Sequence, residues 1–185
     1  MKAKKTRTAY IVIFTVLIAA FACLELREYI EKRDMTFDDK ILECMNFDTA
    51  FGGEVDRIDF TTKAPDGYMC VGSSTKDGLL NFAYIEDNDG SLALSGKTTV
   101  STETFIYNDD YESAHRLKIA NRFRKEHFYF NCYLHKDGLV PHIDGNKLTV
   151  YSFDITFGDK TYNMDFWFIK SENPPTVKLE KIADV

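Results

Sequence analysis

The pattern of hydrophobic and polar positions divides the chain into one uninterrupted apolar segment and a long region of alternating residues. Residues 8–24, TAYIVIFTVLIAAFACL, contain no charged side chain, and four basic residues precede them. As a helix this segment is about 25 Å long, close to the shortest length that crosses a bilayer. We therefore predict a basic cytoplasmic tail over residues 1–7 and a transmembrane anchor over residues 8–24, surrounded by membrane lipid.

Three other interpretations of residues 8–24 stay open. A signal peptide shares the basic flank, and Ala20-Phe21-Ala22 has the spacing of a cleavage site. A lipoprotein signal at Cys23 and a helix in a soluble core are the remaining two. The anchor predicts a single-pass protein of the inner (plasma) membrane with its carboxyl-terminal domain in the periplasm. The signal peptide instead predicts a protein secreted after cleavage.

Residues 25–40 are predicted to form a charged stalk, and residues 41–185 an extracytoplasmic β domain. Near the end of the stalk, Thr36 and Asp39 resemble a capping box in front of apolar residues that begin with Ile41. This pattern predicts one or two further helical turns, although the same stretch also fits a first strand.

Beyond Gly53, short apolar runs are separated by turn signals at regular spacing. These signals are Pro65-Asp66-Gly67, Lys76-Asp77-Gly78, Asn88-Asp89-Gly90, Lys136-Asp137-Gly138, Asp144-Gly145-Asn146 and Gly158-Asp159. Such spacing favours antiparallel strands over alternating strands and helices. The predicted fold class is mainly β, with an amino-terminal transmembrane helix followed by one antiparallel β-sandwich or small calycin-like barrel.

The clearest strand pair surrounds Gly158-Asp159. A two-residue turn at this point sets Phe157 opposite Lys160 and thereby fixes the register of the whole hairpin. One face then collects seven large side chains, which form either part of a core or the lining of a ligand cavity. They are Tyr151, Phe153, Ile155, Tyr162, Met164, Phe166 and Phe168.

Other segments give weaker strand signals. Leu80, Phe82 and Tyr84 form one apolar stripe, and the residues from Val177 onward predict a final edge strand. Residues 112–126 fit either a strand or a helix, and we favour the strand.

The charge and the aromatic content of the chain narrow the classes of partner. The chain has 23 Lys and Arg residues against 29 Asp and Glu residues, a formal net charge of −6, and all of the acidic residues follow residue 24. An acidic domain repels nucleic acid, so we expect no nucleic-acid partner. The 15 Phe and 10 Tyr residues fit a filled β interior or a site for one small apolar ligand.

Cys44, Cys70 and Cys132 follow the apolar segment, and an exported domain lies in an oxidising compartment where disulfides form. Three pairings are open. A bridge between Cys44 and Cys70 would stabilise the domain by about 3 to 4 kcal/mol on the chain-entropy model.

No pattern in the sequence predicts a metal site, a cofactor or a catalytic residue. On a strand, His127 and His135 lie about 27 Å apart and Cys132 faces the opposite side, so the three do not meet at one zinc ion. Asp154 and Asp165 are diagonal neighbours, but we expect them on a convex, solvated sheet face that supplies no cleft and no raised pKa.

The layout of a short basic tail, one span and a strand-rich exported domain resembles the FidL-like and ToxS-like accessory proteins of membrane-bound transcriptional regulators. Residues 90–97, GSLALSGK, are similar to a glycine-bounded strand of FidL-like chains. The resemblance implies that the exported domain pairs with a ToxR-like regulator and stabilises it. No functional residue is carried over.

We therefore expect a membrane-anchored, extracytoplasmic binding or accessory protein that contacts a membrane protein and is not an enzyme. The alternative is a lipocalin-like carrier or sensor of a small apolar ligand, lined by the aromatic face of the hairpin. An envelope hydrolase ranks third, because it needs a cleft with clustered carboxylates or a Ser/His pair.

Overall fold

A computed structural model describes residues 2–47, 53–106, 111–117 and 127–181 of the 185-residue chain. The helices in these ranges are α1 (Lys2–Arg33), α2 (Phe37–Asn46) and α3 (Thr102–Ile106). The strands are β1 (Arg57–Ala64), β2 (Gly67–Ser74), β3 (Leu79–Asn88), β4 (Ser91–Ser101), β5 (His115–Arg116), β6 (His127–Leu134), β7 (Leu139–Ile143), β8 (Asn146–Lys147), β9 (Tyr151–Phe157), β10 (Lys160–Ser171) and β11 (Val177–Lys181). The chain divides into two compact units, residues 1–39 and 40–185.

The first unit is dominated by α1, a single helix of 32 residues. In α1 the predicted anchor over residues 8–24 is continuous with charged residues at both of its ends. Among the described residues, none of the helices combines the length and the apolar character that a membrane crossing requires. The predicted transmembrane helix is therefore wrong, and the fold class is corrected to mainly β with antiparallel sheets.

The start of α2 confirms the capping box. The Asp39 N–H donates to Thr36 Oγ1 at 3.2 Å, and the Thr36 N–H donates to Asp39 Oδ2 at 2.9 Å. The hydrogen bonds from Thr36 lower the pKa of the Asp39 carboxyl, because they favour its charged form. This stretch is a helix, and the alternative of a first strand is wrong.

The strands of the second unit form three separate antiparallel sheets. The first sheet has the order β1-β2-β3-β4, the second sheet β5-β6-β10-β9, and the third sheet β11-β7-β8. The prediction of antiparallel strands is confirmed, and the described strands form stacked sheets rather than one closed barrel. β11 lies at the edge of the third sheet, which confirms the predicted final edge strand.

Residues with positive φ close the predicted turns. Asp89 and Gly90 have φ values of 53° and 90°, as a two-residue primed turn requires, and they connect Asn88 to its cross-strand partner Ser91. Gly158 has a φ of 57° in the turn between β9 and β10. The turn chemistry therefore places the hairpins where the sequence predicts them.

The register of the hairpin formed by β9 and β10 is confirmed. Phe157 lies opposite Lys160, and the ladder continues without a shift until Tyr151 lies opposite Phe166. Because side chains alternate along a strand, this register places the seven large side chains on one face.

Aromatic rings from the first and second sheets meet in the main core. Phe82 stacks on Phe130 with ring centroids 4.4 Å apart, and Phe60 stacks on Phe153 at 5.1 Å. The stripe of Leu80, Phe82 and Tyr84 contributes to this core as predicted.

Two further layers cover the outer faces of this pair of sheets. Ile41 and Met45 of α2 are fully buried in an apolar cluster with residues of the first sheet. On the other side, Tyr133 and Trp167 of the second sheet pack with Val177 of the third sheet. Each central sheet therefore has protein packed against part of its outer face as well as against its inner face.

A buried lysine connects α2 to the first sheet. Lys97 of β4 is 0 % exposed, and its Nζ donates to the carbonyl oxygens of Met45 at 3.0 Å and Gly53 at 2.9 Å. Since Met45 lies in the last turn of α2, the ammonium group satisfies a carbonyl that the helix leaves without an intrahelical partner.

The segment over residues 112–126 is only partly described. β5 occupies His115–Arg116 and pairs with β6, which agrees with the strand interpretation at those two positions. Residues 118–126 lie outside the described residues, so the choice between strand and helix stays a prediction for them.

Candidate functional site

A cluster of four polar side chains, which we call the Asp165 cluster, lies where three strands of the second unit meet a turn. Asp165 comes from β10 and Ser152 from β9, and the two are cross-strand partners. His135 directly follows β6, and Asp137 lies in the turn that leads to β7. The cluster thus gathers residues that are up to 30 positions apart in the sequence.

The Asp165 carboxylate is the centre of the hydrogen bonds in this cluster. Ser152 Oγ donates to Asp165 Oδ1 at 2.6 Å, and His135 Nδ1 lies 3.0 Å from both Asp165 oxygens. The second ring nitrogen of His135, Nε2, lies 3.1 Å from Asp137 Oδ1. The imidazole therefore contacts a carboxylate through each of its nitrogens.

These contacts favour the protonated form of His135. The hydrogen bond to Asp165 and then the one to Asp137 raise the pKa of the imidazole above its ordinary value. The Asp165 side chain is only 5 % exposed, whereas that of His135 is 40 % exposed. The cluster therefore pairs a buried anion with a cation that water still reaches.

The cluster borders an open cleft of about 540 Å³. All four members of the Asp165 cluster line it, together with apolar side chains. The remaining lining residues are Lys136, Gly138, Leu139, Val140, Lys147, Leu148, Thr149 and Val150. This cleft, which we call the Asp165 cleft, is the candidate binding site of the β domain.

The arrangement of Ser152, His135 and Asp165 differs from that of a nucleophilic triad. In a triad the imidazole lies between the hydroxyl and the carboxylate and removes the proton from the hydroxyl. Here the carboxylate lies in the middle, and Ser152 donates to Asp165 instead of to His135. The cluster places His135 between two carboxylates and links β9 and β10 to the residues after β6. It does not activate Ser152 through His135.

Burial of this face comes from the third sheet. Tyr133 lies directly opposite Asp165 and is 2 % exposed. Burial, followed by the nearby Asp165 carboxylate, raises the pKa of the Tyr133 hydroxyl. Tyr133 Oη, Trp167 Nε1 and His142 Nδ1 are buried in this part of the described structure without a hydrogen-bond partner.

The expectation that Asp154 and Asp165 share a solvated face is wrong for Asp165. Asp154 is exposed and accepts a hydrogen bond from Asn163 Nδ2 at 2.7 Å. Asp165 is buried because the third sheet packs on the same side of β10. Trp167, two residues after Asp165 on that side, is buried in the same layer.

The seven large side chains of the hairpin lie in or against the main core. Four of them are buried there, namely Phe153, Ile155, Met164 and Phe166. The other three are partly buried against the core, namely Tyr151, Tyr162 and Phe168. Rings from the first sheet contact this face directly, which leaves it packed as a core in the described structure. The geometry therefore favours the core interpretation over the ligand lining.

The cysteines proposed for a disulfide occur as free thiols. Cys44 and Cys70 both belong to the apolar cluster under α2, and the Cys44 thiol lies 3.5 Å from the Leu92 carbonyl oxygen. Burial, followed by the charge of Glu43, raises the pKa of Cys44. The structure does not contain the bridge, whose formation under oxidising conditions stays a prediction.

The remaining candidate ligands are distributed along β6. His127 contacts Arg116 Nη2 at 2.7 Å through Nε2, and Cys132 is buried in the main core, where burial raises its pKa. His135 belongs to the Asp165 cluster at the far end of the strand. Within the described ranges, no three His, Cys, Asp or Glu side chains are placed to hold a metal ion.

Comparison of the chain with protein-family models, with curated proteins and with solved structures returned no match.

Proposed function

We propose that this chain is a binding or accessory protein that acts by contacting a protein partner, with no reaction of its own. The observation that carries this proposal is the exposure of α1. Among the described side chains of this helix, nine large hydrophobic ones are each more than half exposed. They are Ile13, Phe14, Val16, Leu17, Ile18, Phe21, Leu24, Leu26 and Tyr29.

These side chains point in several directions around α1 instead of forming one stripe. Phe14 and Leu17 are three residues apart and share a side, whereas Val16 lies on another side of the helix. A helix that is apolar on all sides requires cover on more than one of them. Exposed apolar surface of this extent is typical of an interaction site.

The β domain supports a role in binding. Its main core is filled by aromatic side chains of two sheets, which favours a packed interior over a ligand cavity between those sheets. The Asp165 cluster supports the same proposal, because Ser152 and His135 both contact the carboxylate and not each other.

A ToxR-like transcriptional regulator is the partner class to test first. The resemblance to FidL-like and ToxS-like accessory proteins now depends on the strand-rich domain and on residues 90–97, which lie mostly in β4. Export to the periplasm belongs to the same proposal, because the basic flank and the apolar segment of residues 8–24 are also features of exported proteins.

Site-specific photo-crosslinking in cells tests the proposed contact. A photoreactive amino acid at Leu17 of the tagged, full-length chain is expected to give a protein adduct of defined mass. The same amino acid at Asp89, in an exposed turn of the β domain, is the control and is expected to give none. Protein adducts absent at Phe14, Leu17 and Phe21, or lipid adducts alone, contradict the proposal.

A pair of variants shows whether the apolar surface itself is required. With the crosslinker at Phe14, Phe21→Asn is expected to lower the adduct yield, whereas Phe21→Leu is expected to preserve it. Equal yields from the two variants argue against contact through this surface.

Fractionation with amino-terminal sequencing tests the localisation. We expect the β domain in the periplasm. A mature protein that begins at Cys23 loses most of the apolar helix and contradicts the proposed role of α1.

A further inference from the structure

We propose that the Asp165 cleft binds a small anionic amphiphile, namely a carboxylate carried on an aliphatic body. This site lies in the β domain, and its occupancy does not depend on the partner proposed for α1. The inference combines the shape of the cleft, its apolar wall and its balance of charges.

The apolar part of the cleft comes from two segments of the chain. Leu139 and Val140 lie at the start of β7, and Leu148 and Val150 lie between β8 and β9. Val140 is 9 % exposed, and the other three are half-buried. Four aliphatic side chains on facing segments give an aliphatic ligand a surface to cover, and burying apolar area favours binding.

The charged part of the cleft favours an anion. His135, Lys136 and Lys147 line it together with two carboxylates, Asp137 and Asp165. Both ring nitrogens of His135 contact carboxylates, so the imidazolium form contributes a third cation. In that form of His135, three cations line the cleft against two carboxylates, in a chain whose net charge is −6.

The two lysines have different roles in this geometry. Lys136 Nζ lies 4.4 Å from the centroid of the Tyr111 ring, which holds the ammonium group on one side of the cleft. Lys147 also lines the cleft and is exposed, and we expect its ammonium group to contact an incoming carboxylate. The acidic Asp165 is already engaged by Ser152 and His135, which lowers its repulsion of an anion.

The cleft volume of about 540 Å³ falls within the range of roughly 300 to 1,000 Å³ that is usual for small-molecule sites. It is open on one side, so the ligand is expected to exchange readily. A ligand with an aliphatic body and one charged head can contact both the aliphatic side chains and the lysines of this lining.

Isothermal titration of the full-length protein with sodium decanoate, below its micelle concentration, tests the proposal. Lys147→Glu is expected to weaken binding about tenfold, equivalent to about 1.4 kcal/mol, whereas Lys147→Arg keeps it. Lys160→Glu, an exposed position outside the cleft, is the charge-matched control and is expected to leave binding unchanged. No binding by the wild type, or equal weakening by both Glu variants, overturns the proposal.

Decanol provides the second arm, because it has the same aliphatic body without the charge. We expect decanol to bind more weakly than decanoate and to be insensitive to Lys147→Glu. Equal binding of the two compounds contradicts the anionic part of the proposal.

The exposed apolar surface of α1 is an alternative place for any amphiphile, so the site must be located. A photoreactive decanoate analogue, followed by peptide mapping, is expected to label residues 135–150. Labelling confined to residues 13–30 overturns the proposed site without affecting the test of the protein partner.

Discussion

Both faces of the hairpin formed by β9 and β10 contact protein, the outer face only around Asp165 and Trp167, and their chemistry differs. The inner face presents Phe153, Ile155 and Phe166 to the first sheet, and ring contacts fill the space between the sheets. The outer face presents Asp165 and Trp167 to the third sheet, with polar atoms among apolar ones.

This difference shows that burial and apolar character are separate properties of a strand. The inner face is stabilised by removing aromatic area from water, which depends little on the orientation of individual groups. The outer face contains polar groups whose burial is favourable only where hydrogen bonds are made. Substitutions on the two faces are therefore expected to change the free energy of unfolding by different amounts, with different pH dependence and even with different sign.

The largest effect is expected on the inner face. Phe166→Ala removes a ring that is 0 % exposed and that contacts Phe60, Phe82, Phe130 and Phe168. The free energy of unfolding is expected to fall by about 3 to 5 kcal/mol, because a cavity replaces the ring. Chemical denaturation measures this loss, and Lys160→Ala on the exposed turn is the control. A loss under about 1 kcal/mol contradicts a packed inner core.

Asp165→Asn gives the next largest effect. The amide keeps the shape of the carboxylate but removes the charge that Ser152 and His135 contact. We expect the free energy of unfolding to fall by about 2 kcal/mol, the range of hydrogen bonds to a charged group. Asp154→Asn, on the exposed edge of the same face, is the matched control and is expected to change stability little. Equal effects of the two variants place Asp165 in solvent and contradict the buried outer face.

The pH dependence of stability provides a smaller and more specific test. The folded protein raises the pKa of His135 above its ordinary value of 6.5, so the folded state binds this proton more tightly than the unfolded state. The stabilisation is fully present below about pH 6.5 and is lost as the pH rises through the folded-state pKa.

His135→Gln is therefore expected to destabilise the protein more at about pH 5 than at about pH 9. The difference stays below about 1 kcal/mol, because the imidazole is 40 % exposed and water screens its ion pairs. Denaturation of both proteins across this range measures it. A larger destabilisation at alkaline pH gives the opposite sign and rules out a stabilising imidazolium.

The smallest effect is expected for Tyr133→Phe, and its sign is reversed. The Tyr133 hydroxyl is buried beside Asp165 without a hydrogen-bond partner among the described residues. Removing it is expected to leave stability unchanged or to raise it by up to about 1 kcal/mol. Thermal unfolding at neutral pH is the measurement. A clear loss of stability shows that the hydroxyl is satisfied, for instance by a buried water.

The elements that depend on local chemistry were predictable from the sequence. The capping pair Thr36 and Asp39, the turn at Asp89-Gly90 and the hairpin register at Gly158-Asp159 each follow from neighbouring residues. Such signals specify which residues pair or start a helix, because the interactions lie within a few positions of one another.

The elements that depend on distant segments were not predictable. Asp165 alternates with apolar neighbours as a solvated residue does, and only the packing of β7 and β11 on that face buries it. The transmembrane prediction was wrong as well, because none of the described helices is long and apolar enough to cross a membrane. The Asp165 cluster combines residues of β9, of β10 and of the connection between β6 and β7, and no single stretch of sequence indicates it.

NMR titration of the His135 ring protons tests the Asp165 cluster most directly. The His135→Gln variant is used to assign the resonance. In the wild type the His135 pKa is expected above the ordinary 6.5, and in Asp165→Asn it is expected to fall toward that value. A pKa at or below 6.5 that Asp165→Asn leaves unchanged would show that the outer face of the hairpin is solvated, and would contradict the cluster.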